Sequence, residues 1–169
     1  MLQVSDPITV SAVVAGGASS TAIDLRTRRI PNVLTGAIAL AGLGIAAGGF
    51  GPVTLPQAAA GLLVGFLIML PGHVVGATGA GDVKLFAALG TLLGPGGALL
   101  AFFYTALAGG ALALAVAVHR RMLRDTVARA AALVTTGGSN AGELEAIQIN
   151  RFAYAPAIAI GALAVALGF

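Results

Sequence analysis

The chain has 169 residues, of which 58% are hydrophobic, 25 are glycine and only 9% are charged, with a formal net charge of +3. An ordinary soluble domain carries about 25% charged residues, so this composition excludes a disordered chain and argues against a water-soluble globule. The chain contains no cysteine, which excludes disulfides, thiolate catalysis and cysteine-ligated zinc. We therefore expect a polytopic membrane protein built from several helices.

Six apolar runs, separated by prolines, glycines and charges, follow one another along the chain. The longer runs suit helices that cross a hydrocarbon core, and none alternates with the period of two that marks a strand. The fourth is long enough only if its helix begins near residues 79–82, and the glycines and proline of 94–97 predict a turn after it. We predict one all-α domain, residues 1–169, with about six transmembrane helices. The runs cover residues 7–23, 33–50, 55–70, 83–93, 98–118 and 152–169.

The basic residues predict the orientation. With both termini outside and six alternating spans, all nine fall on the inner side, which the positive-inside rule assigns to the cytoplasm. Residues 119–151 then form a cytoplasmic loop between the fifth and sixth helices, with a short amphipathic helix predicted within it. Basic cytoplasmic loops also account for the net positive charge of the chain, so we do not expect a nucleic-acid partner. The nine are Arg26, Arg28, Arg29, Lys84, Arg120, Arg121, Arg124, Arg129 and Arg151.

Two acids, Asp24 and Asp82, fall at the inner membrane boundary, one at the end of a helix and the other at the start of another. An ionisable residue in such a place is a functional candidate. Two facing carboxylates can share a proton, so that one acts as general base toward water and the other as general acid toward a carbonyl. This is the chemistry of aspartic proteases.

A structural interpretation stays open on spacing alone. Asp24 could cap the inner loop or pair with a neighbouring arginine, and Asp82 could be a helix N-cap beside a snorkelling Lys84. Glycines at 79 and 81 allow backbone to approach a substrate. Pro31 suits the start of a helix, and Asn32 could cap or bond in the same turn.

Two blocks together are more specific. Asp24-Leu-Arg-Thr-Arg-Arg-Ile-Pro-Asn32 and Gly79-Ala-Gly-Asp-Val-Lys84 resemble the type IV prepilin peptidase family, which consists of intramembrane aspartic peptidases of the Gly-x-Gly-Asp type. The segment 152–161 also resembles the last helix of that family, with its aromatic, proline and glycine pattern.

The resemblance implies that Asp24 and Asp82 are the catalytic pair. It implies that Gly79 and Gly81 shape the active-site turn, and that Lys84 tunes Asp82 or anchors its helix. The family removes short basic leader peptides from prepilins and pseudopilins on the cytoplasmic side, cutting after a glycine ahead of a hydrophobic helix. It needs no metal or organic cofactor.

The chain begins almost directly with its first helix and has no cysteine, so it resembles compact, peptidase-only members, and we do not expect methyltransferase activity. The expected location is the bacterial inner membrane, and the expected partners are a precursor with a basic leader and the lipid bilayer. No oligomeric state is predicted. The alternatives are a non-catalytic assembly protein of a pilus or secretion machine, or a small proton- or cation-linked transporter. His73, Tyr104 and Tyr154 are interpreted as structural or packing residues.

Overall fold

The computed structural model describes residues 6–119 and 154–169, and within these ranges every regular element is a helix. The predicted amphipathic helix and nearly all of the predicted loop 119–151 lie outside the described residues. The elements are α1 (Pro7–Thr27), α2 (Asn32–Ala47), α3 (Leu55–Val74), α4 (Ala80–His119) and α5 (Ala155–Ala166).

The long α4 is a helical hairpin. Gly94 has φ 69° and ψ 178°, far from helical values and in a region that favours glycine. The rings of Phe86 and Phe102 contact edge to face with centroids 6.2 Å apart, whereas sixteen residues of straight helix would separate them by about 24 Å. The chain therefore turns back at Gly94, as predicted. The turn is shorter than the predicted 94–97, because Pro95 already lies in the helical path, where the first turn tolerates proline.

Two helices are longer than their apolar runs. α1 continues through Asp24 to Thr27, so Asp24 lies in its last turn and not in the loop that follows. α3 continues through Pro71 to Val74. Proline removes one N–H from the ladder, but its carbonyl still accepts from the Val75 N–H at 3.1 Å, which closes the final turn. Charge and proline thus mark the neighbourhood of a helix end without fixing it.

The helices bring the ends that carry the two sequence blocks together with the start of α5. Asp24 at the end of α1 bonds the start of α5, and Asn32 at the start of α2 bonds Lys84 near the start of α4. We call this the site end of the bundle. At the opposite end, the start of α1 lies near Gly51, and the end of α5 lies near Gly97.

Small residues allow the helices to approach closely. A β-carbon added to Gly61 would lie 2.9 Å from the carbonyl carbon of Gly90, and one added to Gly90 would lie 2.8 Å from the carbonyl carbon of Gly61. One turn along α3, Gly65 meets Ala87 in the same way, with its added β-carbon 3.1 Å from the Ala87 Cα. Paired small residues four apart are a common helix contact in membranes. This contact fixes the first half of α4 against α3.

Large apolar side chains point outward. Val33 is 84% exposed, Leu40 72% and Leu67 60%, whereas a soluble monomer rarely leaves such a surface uncovered. Three helical stretches are long and apolar enough to cross a bilayer, namely Pro7–Thr27, Leu55–Val74 and Ala80–Ala115, the last of which folds back at Gly94. α2 and α5 are shorter apolar helices. The all-helical architecture and its apolar surface fit a membrane protein.

We predict that Gly61→Ala lowers the stability of the bundle. The new methyl group must displace the Gly90 backbone, and overpacking of this kind costs about 1–3 kcal/mol. The Tm of purified protein in detergent, followed by circular dichroism, should fall. Gly44→Ala in α2 is the matched control, since its added carbon meets nothing within 4 Å; it should keep or raise Tm through helix propensity. An equal response from both variants would contradict the backbone contact.

Candidate active site

Asp24 is a buried carboxylate that meets the start of another helix. It is 6% exposed, and its Oδ2 accepts a hydrogen bond from the backbone N–H of Ala155, with 3.3 Å between nitrogen and oxygen. Ala155 is the first residue of α5, whose N-cap residue, Tyr154, provides no side-chain cap. The carboxylate therefore caps α5 from α1, at the end of a helix where the dipole favours negative charge. Of the two structural roles considered from sequence, capping is found with α5, not the inner loop, as the capped element, and the charge of Arg28 also acts on this carboxylate.

Asp82 is half-buried in the first turn of α4. Its Oδ2 accepts from the Gly79 N–H at 2.9 Å, and the Gly79 carbonyl accepts from the Asp82 N–H at 3.0 Å. This is the reciprocal half of a capping box, in which a side chain in the first turn reaches back to the residue before the helix. A β-carbon on Gly79 would lie 3.0 Å from the same carboxylate oxygen. The glycine thus leaves space for the aspartate to turn back over it.

Tyr154 connects the surroundings of the two aspartates. It directly precedes Ala155, which bonds Asp24. Burial, and then the negative charge of Asp82, raise the pKa of its phenol above the ordinary value. Asp24 therefore bonds Ala155 directly, and the charge of Asp82 is near enough to influence the neighbouring Tyr154. The sequence interpretation of Tyr154 as a packing residue is confirmed, since it packs against the apolar core. That interpretation does not include its place beside the aspartates, which is marked by an aromatic residue one position before the start of a proline-containing helix.

The two sequence blocks contact each other directly. A β-carbon on Gly81 would lie 3.2 Å from Cβ of Ile30, so glycine at this position allows the first block to pack on the second. The Lys84 Nζ donates to the Asn32 Oδ1 at 2.9 Å. Pro31 is the N-cap residue of α2, and its carbonyl accepts from the first turn of that helix. Asn32 is therefore bonded to α4 and does not cap α2 with its side chain.

Lys84 and Asp82 face different sides of α4. Two positions along a helix correspond to a rotation of about 200°, and Lys84 is exposed while Asp82 is half-buried. Lys84 lines an open groove of about 360 Å³ between α2, α3 and the first half of α4, together with Asn32 and the apolar Phe66. Neither aspartate is among the residues that line it.

His73 closes the turn that leads to Asp82. Its Nδ1 lies 3.1 Å from the carbonyl oxygen of Thr78, within the segment that joins α3 to α4. This contact agrees with the structural interpretation of the histidine. In residues 6–119 and 154–169, no three histidine, aspartate or glutamate side chains gather as a set of metal ligands.

Comparison with known proteins identifies a family and a curated relative. Residues 9–114 match the Peptidase_A24 family, the type IV leader peptidase family. The relative, the type 4 prepilin-like proteins leader peptide-processing enzyme of Escherichia coli O78:H11 (strain H10407 / ETEC), is 39% identical over 84 residues, which cover 46% of this chain and 31% of the relative. The chain thus matches less than a third of the length of that relative, and no solved structure matches it. Since the family match extends over more than half of the sequence and includes both aspartate blocks, the chain belongs to the type IV leader peptidase family.

Proposed function

We propose that the chain is an intramembrane aspartic endopeptidase that removes the basic leader of prepilins or pseudopilins, with Asp24 and Asp82 as its catalytic pair. The observation that supports the proposal is that Asp24 bonds Ala155 at the site end, while the charge of Asp82 acts on Tyr154, the residue before it. Membership of the leader peptidase family supports peptide-bond hydrolysis as the reaction. The name of the relative supports prepilin-like precursors as the substrates.

The proposed reaction uses a water molecule and the two carboxyl groups. The ionised carboxylate takes a proton from water as the water oxygen attacks the scissile carbonyl carbon, and the protonated carboxyl gives its proton to the carbonyl oxygen. The tetrahedral gem-diol then collapses: one of its hydroxyls gives a proton to the carboxylate that is now ionised, the C–N bond breaks, and the leaving nitrogen takes the proton held by the other carboxyl. The products are a leader with a new carboxylate and a mature chain with a new amine, so the proton count of the pair is restored.

The site end is proposed to face the cytoplasm of a bacterial inner membrane. Arg26, Arg28 and Arg29 are exposed there beside Lys84, as the positive-inside rule requires of a cytoplasmic face. A precursor whose hydrophobic helix lies in the bilayer would then present the bond ahead of that helix at the level of the aspartates. The apolar outer surface of the bundle is suited to the same bilayer.

The supporting residues are proposed to act on the framework of the site. Gly79 leaves room for the Asp82 carboxylate, and Gly81 leaves room for Ile30. Pro31 starts α2, and the Asn32–Lys84 hydrogen bond ties α2 to α4. The pair of motifs is thus one structural unit, with chemistry assigned to the aspartates alone.

We predict that Asp24→Asn and Asp82→Asn each abolish leader cleavage, because an amide can neither accept nor release the proton. The loss should reach about 10²- to 10⁴-fold. The measurement is mass spectrometry of the leader released from a prepilin with a basic leader, mixed with purified protein in detergent or liposomes.

Asp6→Asn is the matched control for both variants. Asp6 caps α1 at the opposite end, where its Oδ2 accepts from the Thr9 N–H at 3.0 Å. The control should cleave normally, and all three proteins should insert into membranes. Normal processing by either active-site variant would rule out the aspartate pair.

A second prediction concerns pH. In acid both carboxyls are protonated and no base is left, while at high pH both are ionised and no acid is left, so kcat should fall on either side of an optimum. The check is kcat measured across a pH series with protein that stays folded throughout. A rate that rises to a plateau and stays there would mean that only one ionisation matters, against the proposed pair.

A third prediction separates Lys84 from the chemistry. Lys84→Met removes the hydrogen bond to Asn32, which is worth about 0.5–1.5 kcal/mol, but leaves kcat close to wild type because Lys84 faces the groove. Tm and kcat are measured on the same preparation, with Asn32→Ala as the partner variant. The double variant should cost no more than either single one. A kcat loss as large as that of Asp82→Asn would place Lys84 in the reaction.

A further inference from the structure

Tyr154 is held in place by a close contact across the bundle. A β-carbon added to Gly109, in the second half of α4, would lie 2.7 Å from Cε2 of the tyrosine ring and 3.1 Å from its Cζ. The ring therefore packs directly against the Gly109 backbone, in space that the side chain of any other residue at 109 would occupy. Tyr154 also packs against the apolar core of the bundle. These contacts fix a residue that belongs to neither sequence block.

The residue that carries this ring is bonded directly to the hydrogen-bond donor of Asp24. The donor N–H belongs to the peptide that joins Tyr154 to Ala155. The Tyr154 carbonyl accepts from the Ile158 N–H at 3.2 Å, so this peptide is also the first step of α5. A methyl group at position 109 displaces the ring, and a displacement that is passed to the backbone moves this peptide and lengthens or breaks the bond to Asp24.

The same side chain lies within the influence of the second aspartate. The pKa of Tyr154 is raised by burial and by the charge of Asp82, so the phenol stays protonated at ordinary pH. A phenol that stays protonated does not act as the base of the reaction. Two roles are left, to donate a hydrogen bond through the hydroxyl or to hold its backbone in place, and Tyr154→Phe separates them.

We propose that Tyr154 is a positioning residue for the aspartate pair, seated on Gly109 so that the Tyr154–Ala155 peptide holds Asp24 at the end of the bundle where Asp82 lies. The inference rests on the proposed function and adds to it a residue outside both motif blocks. Misplacement of a reacting group by about 1 Å can cost about 10²-fold in rate, so loss of the seat should act on kcat more than on KM.

Two adjacent glycines provide the matched test. Gly109→Ala places a methyl group against the Tyr154 ring, closer than van der Waals contact allows. Gly110→Ala places one where nothing lies within 4 Å. Both changes are in the same helix and gain the same helix propensity. With a purified prepilin as substrate, Gly109→Ala should lower kcat by about 10²-fold with KM nearly unchanged, and Gly110→Ala should match wild type in both.

Substitution of the ring itself separates position from hydroxyl chemistry. Tyr154→Phe keeps the ring on Gly109 and should retain kcat, while Tyr154→Ala should lose about as much as Gly109→Ala. When Gly109→Ala is added to Tyr154→Ala, no further loss is expected, because the ring that the methyl group displaces is gone. The Tm of each variant in detergent checks that folded proteins are compared. If Tyr154→Ala cannot be purified, the comparison of Gly109→Ala with Gly110→Ala tests the positioning role by itself.

The outcomes distinguish this inference from the proposed function. If Asp24→Asn and Asp82→Asn abolish cleavage while Gly109→Ala and Tyr154→Ala keep wild-type kcat, the positioning role is wrong and the peptidase stands. If Gly110→Ala loses as much kcat as Gly109→Ala, the effect is not carried by the ring, and the role is again wrong. Cleavage that survives in both aspartate variants overturns the proposed function itself.

Discussion

A carboxylate buried among apolar helices costs several kcal/mol unless hydrogen bonds compensate it, and Asp24 is such a group at 6% exposure. Its compensation comes from the Ala155 N–H at the start of α5, a helix that has no side-chain cap of its own. The start of the helix has an N–H that needs an acceptor, and the buried carboxylate needs a donor. One hydrogen bond therefore satisfies both groups. The bond fixes how α1 and α5 are placed along each other, and Gly17 permits the close approach, since a β-carbon there would lie 3.0 Å from that of Ala159.

The packing of α3 and α4 places Asp82 at the site end of the bundle, where Asp24 also lies. The turn at Gly94 folds α4 back on itself, so that its first half packs on α3 through Gly61 and Gly90 while its second half packs on α5. Without that turn, the start of α4 and the ring seat at Gly109 would lie far apart along one straight helix. The backbone contact of Gly61 and Gly90 fixes the first half of α4 along α3, and so determines the level at which Asp82 lies in the first turn of α4. The close packing of small residues thus helps to determine where Asp82 lies.

The features that sequence predicts are those that local signals encode. The glycines of 79–81 and 94 predict a helix start and a turn, and the two blocks single out Asp24 and Asp82 by their residue types and spacing. The role of Tyr154 cannot be predicted in the same way, because it depends on Gly109, which lies 45 residues earlier and becomes a neighbour only after the hairpin forms. Spacing also does not separate the two sides of α4: Asp82 and Lys84 share a motif, yet helical rotation directs them to different surfaces. Motif spacing shows which residues are near one another along the chain, while contacts between helices decide what each one does.

The unequal exposure of the two aspartates bears on how a peptide would reach them in the proposed reaction. Asp24 is closed in by α1 and α5, whereas Asp82 is half-buried at the start of α4, next to the segment 75–79. That segment is held to α3 by the His73–Thr78 contact, and Gly79 has no side chain to cover the carboxylate. The Asp82 carboxylate is therefore more accessible than that of Asp24, and under the proposed function a substrate backbone would meet Asp82 first. The two carboxylates are thus not equivalent: Asp24 is buried and bonded to the start of another helix, whereas Asp82 is half-buried and bonded within its own first turn.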